Sequence, residues 1–237
     1  MALLNDKRAL VLGGSRGIGA ATVRRLTQDG AHVTFTYHGS KDAAEKLATE
    51  VNGTAVQADS GDREAVKSVI DGKGPFDIVV INAGVLVMGP SVDLDPADVD
   101  RMIDVNVRGP YHAAVNAARA MPDGGRIIII GSVNGDRMPF PGGAAYGMTK
   151  SAVQGIVRGL ARDFGDRGIT VNNVQPGPID TDMNPADGPM KDAMHSFMAI
   201  KRHAKADEIA GMVSYLASPE AAIVTGASLT IDGGFGA

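Results

Sequence analysis

The chain has 237 residues, 44% hydrophobic and 21% charged, with no cysteine and a formal net charge of −4. This is ordinary globular composition. It excludes disulfides, thiolate nucleophiles and thiolate metal sites, and it offers no basic field to a nucleic-acid polymer.

No apolar run reaches the length of a membrane span, and the histidines show no ligand spacing. A core strand begins almost at once, so a cytoplasmic protein with no metal and no signal or transit peptide is expected. Apolar, β-branched runs follow at about 8–12, 32–37, 54–58, 77–81, 126–131, 169–174 and 228–231. Amphipathic or Ala-rich segments separate them at about 17–29, 41–51, 62–71, 97–121, 147–165 and 206–217. This alternation predicts right-handed crossovers and an α/β domain, with a doubly wound parallel sheet of about seven strands and helices on both faces. Ile127 to Ile130 is apolar without alternation, as a strand covered on both faces must be. No repeat, linker or low-complexity stretch divides the chain, so one domain over residues 1–237 is expected.

After the first strand stands Gly13-Gly14-Ser15-Arg16-Gly17-Ile18-Gly19. Strand, glycine-rich turn and helix together are the context in which such a motif binds a dinucleotide. Gly13 permits a tight turn, Gly17 lets backbone approach a phosphate, and Gly19 allows close helix–strand packing. The helix start offers free N–H groups and a positive dipole end to a pyrophosphate. Alone, the motif is equally an ordinary glycine-rich turn. The second strand ends Thr36-Tyr37-His38-Gly39-Ser40-Lys41. An NAD-selective fold carries an acid there for the ribose diol. Tyr37 holds that position instead, and Arg16, His38 and Ser40 can meet a 2′-phosphate, so NADP(H) is the expected cofactor. Lys41 reads more simply as the start of a solvated helix.

Tyr146 and Lys150 lie four residues apart and share one face if the stretch is helical. Lowering a phenol by three units takes about 4 kcal/mol of preference for phenolate. An ammonium about 4 Å away supplies that much at an effective dielectric of 20. The pair therefore predicts a general acid or base near neutral pH, against the ordinary alternative of a snorkelling helix face. Ser132 closes the fifth strand, at the end where an open α/β sheet binds ligands, or simply ends a strand.

Jointly these motifs resemble the short-chain dehydrogenase/reductase family over nearly the whole chain. The family's glycine motif is matched by Leu12-Gly13-x-x-x-Gly17-x-Gly19, and its Asn-Asn-Ala-Gly by Ile81-Asn82-Ala83-Gly84. Its catalytic Asn, Ser, Tyr and Lys are matched by Asn106, Ser132, Tyr146 and Lys150. Its Pro-Gly turn is matched by Pro176-Gly177-Pro178-Ile179, and Thr225-Gly226 and Asp232-Gly233-Gly234 also fit. The resemblance implies a single-domain Rossmann fold and NADPH-dependent reduction of a small carbonyl substrate. Tyr146 is then the proton donor, Ser132 holds the substrate oxygen, and the Asn106 backbone carbonyl holds a water linking Lys150 to solvent. Cofactor contacts are implied for Gly13, Ser15, Arg16, Gly17, Ile18, Gly19, Tyr37, His38, Ser40, Asp59, Ser60, Asn82, Ala83, Gly84, Tyr146, Lys150, Pro176, Gly177, Ile179 and Thr181. Leu12 and Ile81 depart from the pattern, because polar residues there usually brace the cofactor loop and the turn after the fourth strand. The separation of Ser132 from Tyr146 is one residue longer than the usual family spacing, which reshapes the pocket wall near 139–143.

Met190, Met194, Phe197 and Met198 are spaced as on an amphipathic helix. Such a stripe usually means packing; in the resembled family the same segment, about 182–203, is the mobile substrate lid. Arg158 and Arg162 stand at a spacing that lets two guanidiniums fork onto phosphates, as in cyclic-dinucleotide sites. With Asp163 and Asp166 beside them, solvated helix charges are the ordinary reading. Segments 131–139, 175–182 and 198–203 carry a closer resemblance to bacterial family members that bind cyclic di-GMP. A cyclic-di-GMP-binding regulator of biofilm dispersal, with or without reductase activity, is therefore the second expectation. A homotetramer is expected too: the family pairs the helices at about 97–121 and 147–165 across a two-fold axis, and Ala113, Ala114, Ala117, Ala118, Ala152 and Ala161 permit close packing.

Overall fold

The computed structural model describes residues 3–237. Its elements in chain order are β1 (Arg8–Leu12), α1 (Gly17–Gln28), β2 (His32–Tyr37), α2 (Lys41–Val51), β3 (Thr54–Gln57), α3 (Arg63–Lys73), β4 (Ile78–Ile81), α4 (Pro96–Ile103), α5 (Gly109–Ala120), β5 (Arg126–Ile130), α6 (Ala144–Phe164), β6 (Thr170–Pro176), β7 (Ile179–Asp180), α7 (Lys191–Phe197), β8 (Ala204–Lys205), α8 (Ala206–Ala217) and β9 (Ser228–Ile231). Seven strands form one parallel sheet in the order β3-β2-β1-β4-β5-β6-β9, and β7 and β8 make a separate small ladder.

The sheet is buried on both faces, and the residue pattern shows why. Ala9 and Val11 of β1 pack into one apolar cluster with α1 and α8, while Leu10 and Leu12 pack into the other with α3, α5 and α6. Ile128 and Ile130 divide from Ile127 and Ile129 in the same way. Successive side chains on a strand point to opposite faces, so a continuous apolar run fills both layers. The chain order reverses direction between β1 and β4, and that switch point opens a crevice at the carboxyl ends of the strands.

Three expectations change. The helix expected over 97–121 is α4 and α5 joined by a wide π-helical turn at Asp104–Arg108. Pro110 is the cause: it has no N–H, so the Asn106 carbonyl loses its partner four residues on. The ladder slips by one residue, and the Gly109 N–H reaches the Asp104 carbonyl. The helix expected from 147 begins at Ala144, which places Tyr146 inside the first turn of α6. The methionine stripe is helical only over the short α7; Met190 and Met198 are its flanking residues, and Met198 is buried against Val133 and Phe235.

The alanines of α5 also take a different part from the one expected. Ala113, Ala114, Ala117 and Ala118 are buried within the subunit's own core. The open positions on the neighbouring helix are Gly155 and Gly159 of α6, where an added Cβ would meet nothing within 4 Å.

Candidate active site

The crevice is one cavity of about 1040 Å³, large enough for a dinucleotide with a substrate beside it. Its floor is the loop between β1 and α1. Gly13 sits at φ +76°, and an added Cβ would lie 2.9 Å from the Ala83 Cα, so the loop after β4 presses directly on it. At Gly19 a Cβ would lie 2.1 Å from the Gly13 carbonyl oxygen, which seats α1 against β1. The loop is braced without the usual polar residues at positions 12 and 81. The Gly13 N–H donates to Thr36 Oγ1 at 3.0 Å, and Asn82 Nδ2 donates to the Gly13 carbonyl at 2.7 Å. Thr36 and Asn82 do from neighbouring strands what Leu12 and Ile81 cannot.

Helix α1 starts without a side-chain cap and without an acid in its first turn. By contrast, α3 and α4 are capped by Asp62 and Asp95. The first N–H groups of α1 therefore stay open to an anion, with the helix dipole behind them. Arg16 beside them is exposed and paired only loosely with Asp182, at 3.5 Å. Thr181 closes over Gly17, its Cγ2 lying 3.3 Å from where a Cβ would stand.

Tyr37, His38, Ser40, Asp59 and Ser60 line the far end of the crevice. Tyr37 is buried and belongs mainly to the core. Asp59 takes two hydrogen bonds from Arg101 Nη2, at 2.7 and 2.9 Å, and one from the Gly61 N–H. Burial works to raise its carboxyl, but Arg101, that N–H and His38 outweigh it and hold the group below the usual range. Arg101 also lines the crevice. Nothing in its sequence neighbourhood marks it, since the contact spans 42 residues of chain.

At the other end stand the side chains expected to do chemistry. Tyr146 and Lys150 line the crevice, and Ser132 stands between the lining residues Gly131 and Val133, within hydrogen-bond reach of Tyr146. The Lys150 ammonium is buried and donates to the Ile130 carbonyl at 3.1 Å. Burial lowers it to about 8. It lies 5.7 Å from the Tyr146 ring centre. The phenol is not pulled down as the spacing suggested: burial raises it above its ordinary value, against a smaller lowering by the Ser132 hydroxyl. Tyr146 is thus held protonated at neutral pH. Ser132 Oγ accepts from the Asn134 N–H at 3.1 Å, so its own proton is the one it donates towards the Tyr146 oxygen.

Asn106 does not touch the crevice. Its Nδ2 donates to the Val85 carbonyl and to Thr149 Oγ1, and its Oδ1 accepts from the Val85 N–H. It ties the loop after β4 to the turn of α6 that carries Lys150. The Asn106 carbonyl is the one that Pro110 deprives of its normal helical partner. The Ser132 loop is held in turn by Gln175, whose Nε2 donates to the Ser132 carbonyl at 3.2 Å and to Asp136 at 2.8 Å. Arg158 and Arg162 lie exposed on the outer face of α6, remote from the crevice.

Residues 13–236 match the family model described as enoyl-(acyl carrier protein) reductase. The chain belongs to the short-chain dehydrogenase/reductase family. It is similar over its whole length to the cyclic-di-GMP-binding biofilm dispersal mediator protein of Escherichia coli (strain K12), with 62% identity and 100% of both chains covered. The fold matches the crystal structure of BdcA in complex with NADPH at TM-score 0.98 and 62% identity, covering 99% of this chain and 96% of that one. A short-chain dehydrogenase/reductase from Serratia marcescens BCRC 10948 matches at TM-score 0.96 and 52% identity, covering 99% of this chain and all of the other.

Within this short-chain dehydrogenase/reductase the expected residues converge. Of those anticipated for the cofactor, all line the crevice except Gly19, whose part is packing. Pro176, Gly177, Ile179 and Thr181 form its rim after β6. Met138, Phe140 and Pro141, from the longer segment before Tyr146, form its wall. Among the described residues no helix is long and apolar enough to cross a membrane.

Proposed function

We propose that the chain is an NADPH-dependent carbonyl reductase. The observation that carries this reading is the convergence of Tyr146, Lys150 and Ser132 at the end of the crevice that begins at the uncapped start of α1. The residues fit the group: open N–H groups at α1 suit a pyrophosphate, and Arg16 suits a 2′-phosphate. NADPH, when bound there, supplies the hydride. Tyr146, held neutral by burial, donates its phenolic proton to the carbonyl oxygen as negative charge gathers on it. The Ser132 hydroxyl donates a hydrogen bond to the same oxygen and fixes its position. Lys150 stabilises the phenolate left on Tyr146. Asn106 and Gln175 hold these groups in register from behind. The direct test is loss of NADPH absorbance on mixing with a panel of ketones and aldehydes, with the alcohol identified as product.

NADPH should bind more tightly than NADH. No acid at the end of β2 selects the ribose diol, and Arg16 is free enough to turn onto a phosphate. Calorimetric titration should show this preference, and Arg16→Ala should weaken NADPH while leaving NADH nearly unchanged. Equal or tighter NADH binding by the wild type contradicts the assignment.

The outer faces of α5 and α6 support assembly into a homotetramer. Tyr111 and Met148 are exposed there, and Gly155 and Gly159 leave room for a partner helix to approach. Light scattering at micromolar concentration should give a closed oligomer. Gly159→Leu should shift it towards smaller species. A wild-type monomer rules the assembly out.

Cyclic di-GMP is the second reading, favoured by the likeness to the cyclic-di-GMP-binding relative of Escherichia coli. Its phosphates would find the same open N–H groups and Arg16 that suit NADPH. Competition then follows: saturating NADPH should weaken cyclic di-GMP binding at least tenfold. Unchanged affinity would send the ligand elsewhere.

A further inference from the structure

We propose that the substrate end of the crevice selects a neutral, apolar ketone with an aromatic body, and discriminates against carboxylated ketones. The inference rests on the reductase reading and names its substrate class. The wall facing Tyr146 is made by Val133, Met138, Phe140, Met190, Met194 and Phe235. Met138 packs where a Cβ on Gly143 or Gly147 would stand, so it sits on the turn of α6 that presents Tyr146. Phe140 and Phe235 form a triangle with Phe197 of α7, with ring centres 5.3, 6.0 and 6.4 Å apart. Thioether sulfur and ring edges give a polarisable surface that suits an aromatic guest.

With cofactor bound, the cations of the crevice other than Lys150 are engaged away from this wall. Arg101 and Asp59 hold each other at the far end, and Arg16, only 3.5 Å from Asp182 and exposed, is the group that turns onto the 2′-phosphate. Lys150 is tied to the Ile130 carbonyl. Arg137 stands behind the wall, not in it. Its Nη1 donates to the carbonyls of Phe235 and Ala237, and its guanidinium lies 5.7 Å from the Phe197 ring centre. It pins the aromatic triangle and is not aimed at a ligand. A substrate carboxylate against this apolar wall would lose water and meet no cation but Lys150, whose ammonium is held by the Ile130 carbonyl and serves the Tyr146 phenolate, which is a heavy penalty. An apolar body gains from every square ångström it covers. The ketone carbon accepts hydride, its oxygen takes the Tyr146 proton, and a secondary alcohol leaves.

The experiment compares propiophenone and its para-carboxylate as substrates with NADPH. Propiophenone should exceed the carboxylate in kcat/KM by roughly 100-fold or more, the scale of an unpaired buried charge. Met194→Lys should narrow that ratio at least tenfold by supplying the missing cation. A carboxylate reduced as well as propiophenone overturns the proposal. If no ketone is reduced, the reductase reading falls, and calorimetric titration of the NADPH-saturated protein decides the pocket question separately. Tighter binding of propiophenone than of its carboxylate upholds the selectivity, whereas equal, reversed or absent binding overturns it.

Discussion

Tyr146→Phe should reduce turnover of any accepted ketone by roughly 10²- to 10⁴-fold, the usual share of general acid–base catalysis. The change deletes one oxygen and leaves the ring to fill the same space, so folding and NADPH affinity should barely move. The effect should fall on kcat and kcat/KM together, as expected when the lost interaction forms only in the transition state. Burial raises this phenol above its ordinary value, so the wild type is fully protonated at neutral pH and ready to give its proton. Steady-state kinetics with calorimetric NADPH titration checks both halves. A variant that retains full reductase activity removes Tyr146 from the mechanism.

Lys150→Met should abolish most activity and yet stabilise the fold. Lys150 is 6% exposed, and burial lowers its ammonium to about 8 from 10.5. A depression of that size corresponds to about 3 kcal/mol against the charged form in the native state. Methionine keeps much of the side chain's volume and removes the charge, although the Ile130 carbonyl loses its donor, so a net gain of about 1–3 kcal/mol is expected at pH 7. The sign with pH follows from proton counts. Between about 8 and 10.5 the unfolded chain holds more protons than the native one, so wild-type stability rises with pH through that window. The advantage of the methionine variant should shrink across the same window. Wild-type kcat/KM should meanwhile fall as pH passes about 8 and Lys150 loses the charge that steadies the Tyr146 phenolate. Urea midpoints at pH 7 and pH 10 test this, and a variant less stable than wild type at both refutes it.

Much of this was legible in the residues. The apolar runs of β1 and β5 announce a sheet buried on both faces, because a strand's period of two fills both layers only when every residue is apolar. The glycine spacing places Gly13 and Gly19 where only glycine fits, and Tyr146 and Lys150 fall in one helical turn. What stayed hidden depends on contacts distant in sequence. Thr36 and Asn82 brace the loop across 23 and 69 residues, and Arg101 reaches Asp59 across 42. The spacing of Tyr146 and Lys150 reveals a nearby cation but not the depth of burial, and burial moves the phenol up rather than down. The parting of α4 from α5 did leave a signal: Pro110, four residues beyond Asn106, was enough to foretell a slipped ladder. The α5 alanines face the chain's own core, which composition alone does not disclose because it does not say which face of a helix is covered.

The uncapped start of α1 makes the stability of the whole fold answer to nucleotide supply. Any anion that satisfies those N–H groups binds the native chain and not the unfolded one, so it shifts the folding equilibrium by mass action. Cofactor at a hundred times its dissociation constant adds about 2.7 kcal/mol. For a domain of this size that raises the melting temperature by roughly 5–10 °C. In a cell whose total pool of this nucleotide, oxidised and reduced together, runs down, the protein would become easier to unfold and degrade, and its abundance would track cofactor supply.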